Sequence, residues 1–312
     1  MRSKFTTPSR SGGRKSSARP QNPSSARPQR SSFAKPGSET AFRAKSAPVR
    51  GPQSGGETFQ RVEFPKHWRT VIGFHAIREV LNVRPKAIEQ VWIKQGWESS
   101  QELSTLHQEL RRRNLPIEEK PLGLLDKVMP AHQGAAVFVG ITPEINWAEI
   151  EQKEIAKVLV LDGIEDPHNL GAILRTAWLM GVSGALTPDD RTAGLTSTVH
   201  KVACGGAEHV PVERTSNFAN PLEELKKQGF WVFGLSHEGK TSLFDLKIPE
   251  KVVWCIGAED RGLRSTTERL CDELIRIPQL SDAASYNASV ATAIALTETL
   301  RQQSLKTTAK KV

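Results

Sequence analysis

From Lys157 onward the chain alternates short, unbroken apolar runs with stretches of helical periodicity. The runs read KVLVLDG, SGALTP, FWVFGLS, KVVWCIGAE and ELIRIP, and the helical stretches fall around 169–181, 195–205, 217–229, 264–271 and 287–303. A strand that is apolar at nearly every position cannot leave one face to water. Strands of this kind separated by helices meet that demand as an α/β fold, a parallel sheet with helices on both faces. Ligands of such sheets bind outside the carboxyl ends of the strands. The segments there, DGIEDPHN, GLSHEGK, GAEDRG and IPQLSDAASYN, are polar and several carry glycine.

Residues 70–142 make a second, smaller α/β unit. VIGFHAIREVL opens it as a strand end, a turn at Gly73 and a helix; AIEQVWIKQ is a strand and SSQELSTLHQELRRRNL an amphipathic helix. IEEKP, LGLLDKVM and GAAVFVG follow as short strand, short helix and closing strand. Residues 143–156 form a polar linker with a short helix, and the larger unit spans 157–305. Ahead of them residues 1–65 form a basic tail dense in Ser, Arg and Pro. Its first 60 residues hold twelve Lys and Arg against two acids, so they alone exceed the chain's net charge of +9. That composition buries too little surface to offset its ordering entropy, and the tail is expected to be disordered. Cations on a flexible chain neutralise phosphates without reading sequence, which suits contact with nucleic acid. A solubilising extension and an organelle transit peptide share this composition; the tail's prolines oppose the amphipathic helix that a transit peptide forms.

Several chemistries lack their residues. Cys204, Cys255 and Cys271 show no metal-pair spacing and suit a reducing cytosol, so a cytoplasmic location is expected. No apolar run is long enough to span a membrane. No Gly-x-Gly-x-x-Gly follows the first strand, and neither a phosphate-binding Gly-x-x-x-x-Gly-Lys-Ser/Thr nor a His-Glu-x-x-His occurs. GLSHEG has the wrong order for a nucleophile elbow. His168, His200 and His237 read as structural or solvent-facing.

Three strand tips carry longer patterns: DPHNLGAILRTA, IGAEDRGL and IRIPQLSDAASYNASVATAIALTETLRQ. In order and spacing, over 157–303, they resemble the three signature motifs of the SpoU/TrmH family of RNA ribose 2′-O-methyltransferases. GFHAIREVL and HQGAA look like the ends of the small RNA-binding domain of that family's ribosomal-RNA branch, here covering about 71–141. The resemblance implies a sheet whose C-terminal segment threads a loop to form a trefoil knot, a rare exception to ordinary topology. It also implies S-adenosyl-L-methionine bent within the knotted loops and a homodimer joined through the knot and last helix. The RNA partner would be ribosomal or transfer RNA, with guanosine the commonest target.

Methylating a ribose 2′-hydroxyl aligns a weak nucleophile with the methyl carbon and the sulfonium behind it, so the protein supplies alignment and charge management. The motif match implies cofactor contacts at Gly257, Ile277 and Tyr286, largely through backbone. It implies a catalytic set of Asn169, Arg175, Glu259, Ser285 and Asn287. Read by themselves, Gly257 is a turn glycine or a place where a side chain would obstruct a cofactor, and Ile277 is core. Asn169 at a helix start, Glu259 ahead of a helix, and Ser285 and Asn287 opening the last helix can each be caps. Glu259 can equally anchor Arg175 or a ribose. Helical spacing sets Arg175 over residues 168, 171 and 172, whence its side chain returns to the strand tip. The family's general-base proposal for this arginine conflicts with a guanidinium that stays protonated in proteins. A bidentate grip on the phosphate beside the target ribose is the assignment we adopt.

The third motif departs from the family pattern. Its loop, QLSDAA, lacks the usual glycine, SYN stands for Ser-Leu-Asn, and Asp260 replaces the glycine after Glu259. Two functions of different class fit the whole: an S-adenosylmethionine-dependent RNA 2′-O-methyltransferase, and a non-catalytic RNA-binding or ribosome-assembly protein on the same scaffold. The complete Asn/Arg/Glu/Ser/Asn set favours the enzyme. A redox α/β enzyme is opposed by the missing glycine fingerprint.

Overall fold

The computed structural model describes residues 64–309 apart from 66 and 282, so the expected basic tail lies almost wholly outside the described residues. The smaller unit runs β1 (Arg69–Ile72), α1 (Phe74–Val83), β2 (Ile88–Lys94), α2 (Gln101–Arg112), β3 (Ile117–Lys120), α3 (Leu122–Val128) and β4 (Ala135–Val139). Its sheet has the order β1-β4-β2-β3, with β2 and β3 parallel and the other pairs antiparallel. Leu103, Leu106 and Leu110 repeat at helical spacing on the buried face of α2, and the Ser100 hydroxyl caps it by accepting the Leu103 N–H. On the other face of the sheet Trp92 and Phe138 pack with Phe64, whose ring stacks on Phe138 at 4.4 Å.

The segment read as a polar linker is docked rather than loose. Asn146 caps α4 (Trp147–Gln152) by accepting the Glu149 N–H, and Ile145 and Ile150 are buried against the larger sheet. Polar residues dominate its sequence, yet these two isoleucines are enough to pin it.

The larger unit continues β5 (Ala156–Asp162), α5 (Pro167–Leu179), β6 (Gly184–Pro188), α6 (Ser197–Ala203), α7 (Gly206–His209) and β7 (Val212–Thr215). It then runs α8 (Ala219–Lys227), β8 (Trp231–Leu235), β9 (Thr241–Ser242), β10 (Lys251–Gly257), α9 (Ser265–Glu268), β11 (Glu273–Arg276) and α10 (Ala288–Ala309). The seven strands lie in the order β7-β6-β5-β10-β8-β11-β9, and every neighbouring pair is parallel. All residues of β5 and β6 are buried, with a separate apolar cluster on each face of the sheet. The parallel α/β expectation holds.

Two strands escaped the sequence reading. β7 is half exposed at the sheet edge and β9 has only two residues, so neither leaves an apolar run. The helix expected over 195–205 is α6, which ends at Cys204 and Gly205, both with positive φ, and α7 follows beyond the expected bounds. The break lets α7 lie against α5: a Cβ on Gly206 would stand 2.6 Å from the Leu174 carbonyl oxygen.

α6 and α7 carry the contact between the two units. Arg69 of β1 donates from Nη1 and Nη2 to the two carboxylate oxygens of Glu208, at 2.6 and 3.1 Å, and from Nε to the Ile141 carbonyl. Arg84 donates from Nη2 to the Glu208 carbonyl at 3.2 Å. Glu79 of α1 takes His209 Nε2 at 2.8 Å, and the His209 ring stacks on Trp178 of α5, 4.2 Å apart and nearly parallel. Arg69 and Glu208 are both buried, so losing either partner strands a charge at a cost of about 3–5 kcal/mol.

His200 completes this junction. It is buried, lies 3.4 Å from Arg69 Nη1 and 3.7 Å from Glu208, and burial, reinforced by Arg69, lowers its pKa to about 4. The ring therefore stays neutral and can accept the Arg69 proton. Below its ordinary value of 6.5 the unfolded chain takes up a proton that the folded chain refuses. The stability conferred by the neutral ring is thus complete above pH 6.5 and is lost as pH falls toward 4. The slope is at most about 1.4 kcal/mol per pH unit. Denaturant midpoints at about pH 7.5 and about pH 5 should drop further for the wild type than for His200→Gln; equal drops would show that His200 does not set this dependence.

Candidate active site

β5 and β10 are neighbours, and their last residues, Asp162 and Gly257, face each other in register. Beyond Asp162 the chain turns at Gly163 and enters α5, whose cap is Asp166: its carboxylate accepts the His168 N–H at 2.9 Å, with Pro167 in the first turn. Asn169 is therefore not the cap. Its side chain turns sideways, and Nδ2 donates to Glu259 Oε1 at 2.8 Å.

Glu259 sits in the loop that leaves β10. That loop is closed by reciprocal backbone hydrogen bonds between Ala258 and Gly262, at 3.0 and 2.8 Å. A Cβ on Gly257 would stand 2.1 Å from the Gly262 carbonyl carbon, so the loop's own return demands a glycine before any ligand does. Nor does Glu259 cap α9, which has no side-chain cap. It meets Asn287 instead, whose Nδ2 donates to Glu259 Oε1 and, at 3.0 Å, to Asn169 Oδ1. Asn287 is a cap as well: its Oδ1 accepts the Ser289 N–H at 2.9 Å and the Val290 N–H at 3.4 Å. One carboxylate and two amides thus tie α5, the loop after β10 and the start of α10 together.

A hollow of about 510 Å³ opens beside this cluster. Leu235, Ile256, Ile277 and Ala288 give it an apolar floor, and Gly257, Glu259, Ser285 and Tyr286 also line it. The Tyr286 hydroxyl donates to the Pro278 carbonyl at 3.3 Å, closing the loop between β11 and α10 on itself. A second hollow of about 260 Å³ adjoins, lined by Gly163, Glu165, Asn169 and Arg261, and Glu259 borders both.

Six of the eight residues singled out from sequence, Gly257, Glu259, Ile277, Ser285, Tyr286 and, through its hydrogen bonds, Asn287, gather at the larger hollow, and Asn169 joins through Glu259. Ser285 is exposed at the rim and caps nothing. Arg175 stands apart. It follows Asn169 by about one and two-thirds helical turns, is exposed on α5, and lines neither hollow. The arginine that does return to the tip of β5 is Arg264, whose Nε lies 2.5 Å from Asp162 Oδ1. Sequence reading passed over it, although an aspartate ending a wholly apolar strand demands a partner. His237 and Glu238 also line the hollow without having been singled out as site residues.

The neighbouring Cys271 thiol and complete burial push the Cys255 thiol well up, which keeps it protonated. Among the described residues no His, Cys, Asp and Glu cluster could hold a metal ion, and no helix is long and apolar enough to cross a membrane.

Residues 156–297 match the model of the SpoU rRNA Methylase family, and residues 70–141 match that of the RNA 2′-O ribose methyltransferase substrate binding domain. The 23S rRNA (guanosine-2′-O-)-methyltransferase RlmB of Pseudomonas putida is 36% identical over 76% of this chain and 97% of its own length. That of Neisseria meningitidis is 37% identical with the same coverage of both chains. Among solved structures, the SpoU methyltransferase AviRb from Streptomyces viridochromogenes, in complex with AdoMet, has the same fold. It superposes with a TM-score of 0.66 at 22% identity, over 76% of this chain and 91% of its own.

The double duty of Asn287 separates two substitutions. Asn287→Ala loses the cap and both Nδ2 hydrogen bonds and should cost at least about 1 kcal/mol without adding a charge. Asn287→Asp keeps the cap but sets a second carboxylate against Glu259, so its stability should decline relative to wild type as pH rises through the carboxylate range. Chemical denaturation at about pH 4 and about pH 8 distinguishes them; a pH-independent deficit in Asn287→Asp would mean that Glu259 is not its neighbour in solution.

Proposed function

The chain belongs to the SpoU rRNA methylase family, and we propose that it transfers a methyl group from S-adenosylmethionine to the 2′-hydroxyl of a guanosine ribose in 23S ribosomal RNA. The observation that carries this reading is the Asn169–Glu259–Asn287 cluster on the rim of a hollow of cofactor size. The hollow fits the cofactor: its apolar floor suits an adenine ring, and Glu238, Glu259 and Glu268 at its walls suit a sulfonium and an ammonium. When bound there, S-adenosylmethionine supplies an electrophilic methyl carbon.

The chain's own residues do the rest. Gly257, Ile277 and Tyr286 hold the cofactor through the backbone of the two loops they belong to. Both amide donors in the cluster use Glu259 Oε1, which presents Oε2 as acceptor for the hydrogen of the ribose hydroxyl. Asn169 and Asn287 fix that carboxylate, and Ser285 adds a hydroxyl at the rim to orient the ribose. Arg175 grips a phosphate next to the target ribose from outside the hollow.

The finer architecture follows from the same reading. Family likeness supports a trefoil knot in the segment that leads from β11 into α10, and α10 lies against the sheet, with Trp254 Nε1 of β10 donating to Thr299 at 3.0 Å. Ala172 and Thr176 of α5, Phe244, and Val290, Ala293 and Ile294 of α10 line an apolar groove beside Arg175, which supports a homodimer through this face. Residues 70–142 seat RNA, 143–156 connect, 157–305 methylate, and the basic tail adds affinity without specificity. A cytoplasmic location accords with unpaired cysteines.

Calorimetry should show one S-adenosylmethionine bound per chain, and 23S ribosomal RNA lacking the modification should gain one 2′-O-methylguanosine. Protein that binds RNA but no cofactor would overturn the reading. Arg175→Ala should leave cofactor affinity near wild type while methyl transfer falls at least about 100-fold. Arg175→Lys, which keeps charge but loses the planar fork, should not restore it; wild-type turnover in Arg175→Ala would remove the residue from the mechanism. Deleting residues 1–60 should weaken RNA binding and flatten its salt dependence with turnover at saturating RNA preserved; an unchanged salt slope would assign the tail another role.

A further inference from the structure

We infer that Asp162 and Arg264 are a positioning pair that pre-forms the loop 257–263 for the cofactor, an inference that rests on the reading of the larger hollow as the S-adenosylmethionine site. Neither residue lines that hollow, and neither belongs to the set of residues that face it. Their geometry explains how the loop comes to have a fixed shape at all.

Asp162 is the last residue of β5, and its side chain is fully buried. A carboxylate in that position is costly unless its oxygens are satisfied. Both bonds come from one residue: Oδ2 accepts the Arg264 backbone N–H at 3.0 Å, and Oδ1 accepts Arg264 Nε at 2.5 Å. Gly257 lies beside Asp162 in register on β10, so the chain leaves β10 at Gly257 and is brought back to the same place at Arg264. The segment between is a closed ring that carries Glu259 and forms one wall of the hollow. The Arg264 guanidinium is half exposed, lies 6.0 Å from the Phe218 ring and reaches Asp190, on the loop after β6, at 3.7 Å. Arg264 thus joins the loop ends of three adjacent strands, while Asp162 is the buried point to which it is fastened.

A loop held in its binding shape before the ligand arrives spares the ordering cost on binding. The pair therefore governs cofactor affinity rather than the chemical step. Asp162→Asn is a sharp probe because both partners are donors: an amide offers one acceptor and turns an N–H toward the other donor. Arg264→Ala removes the side-chain bond, keeps the backbone one, and alters a residue already open to solvent, so it tests the pair even where Asp162→Asn fails to fold.

Amide hydrogen exchange on the cofactor-free protein should show residues 262–264 exchanging at least about tenfold faster in either variant, with β5 and β10 still protected. Calorimetry should show S-adenosylmethionine bound at least about tenfold more weakly. RNA affinity should hold, and in turnover KM for the cofactor should rise while kcat at saturating cofactor stays within about threefold. Unchanged exchange in both variants would overturn the pair as the loop's fastening. Faster exchange with wild-type cofactor affinity would reduce it to a structural contact. Failure of the wild-type protein to bind S-adenosylmethionine would instead overturn the site reading, and this role with it.

Discussion

A parallel sheet covered on both faces can place polar chemistry only where its strands end, and β5 and β10 obey that constraint strictly. Between Lys157 and Lys251 near their starts and Asp162 and Gly257 at their ends their residues are apolar, while Gly163, Glu259 and Arg261 crowd the few positions beyond them. Loops at such a rim have no ladder to hold them. The structure replaces the ladder with side-chain hydrogen bonds that cross from one loop to the next: Asn169 to Glu259, Asn287 to both, Arg264 to Asp162. The residues that shape the site are therefore also those that fasten it.

The smaller unit is attached by a different device. Glu208 is buried between two arginines and a neutral histidine, and its carboxylate and carbonyl are used together. A buried ion pair adds little net stability, but it is intolerant of misplacement, because any separation leaves a charge without water. This one pins β1 and α1 to α7 through the carboxylate and the carbonyl of Glu208.

Much of this was legible in the sequence. The apolar runs located β2, β4, β5, β6, β8, β10 and β11, since burial on both faces leaves a signal that needs no knowledge of neighbours. β7 and β9 were not, because an edge strand and a two-residue strand need only backbone pairing. At the site, motif resemblance brought out Asn169, Glu259, Ser285 and Asn287; of the cap roles that each could alternatively fill, only that of Asn287 is realised, since Asp166 caps α5 and neither Glu259 nor Ser285 caps a helix. Helical spacing aimed Arg175 at the strand tip, yet spacing fixes a face only relative to the helix, and the face it chose is exposed. The junction around Glu208 was invisible because its members lie far apart in the chain and none belongs to a periodic pattern. His200 looked structural, which it is, but no feature of the sequence tells that it must remain neutral.

α5 touches both ends of this arrangement. Asn169 near its start belongs to the site, and Trp178 near its end lies flat on His209, which Glu79 of the smaller unit holds. A helix of 13 residues is a stiff rod about 20 Å long. Its two ends cannot shift independently, so any tilt of α5 at Trp178 displaces Asn169, the amide partner of Glu259.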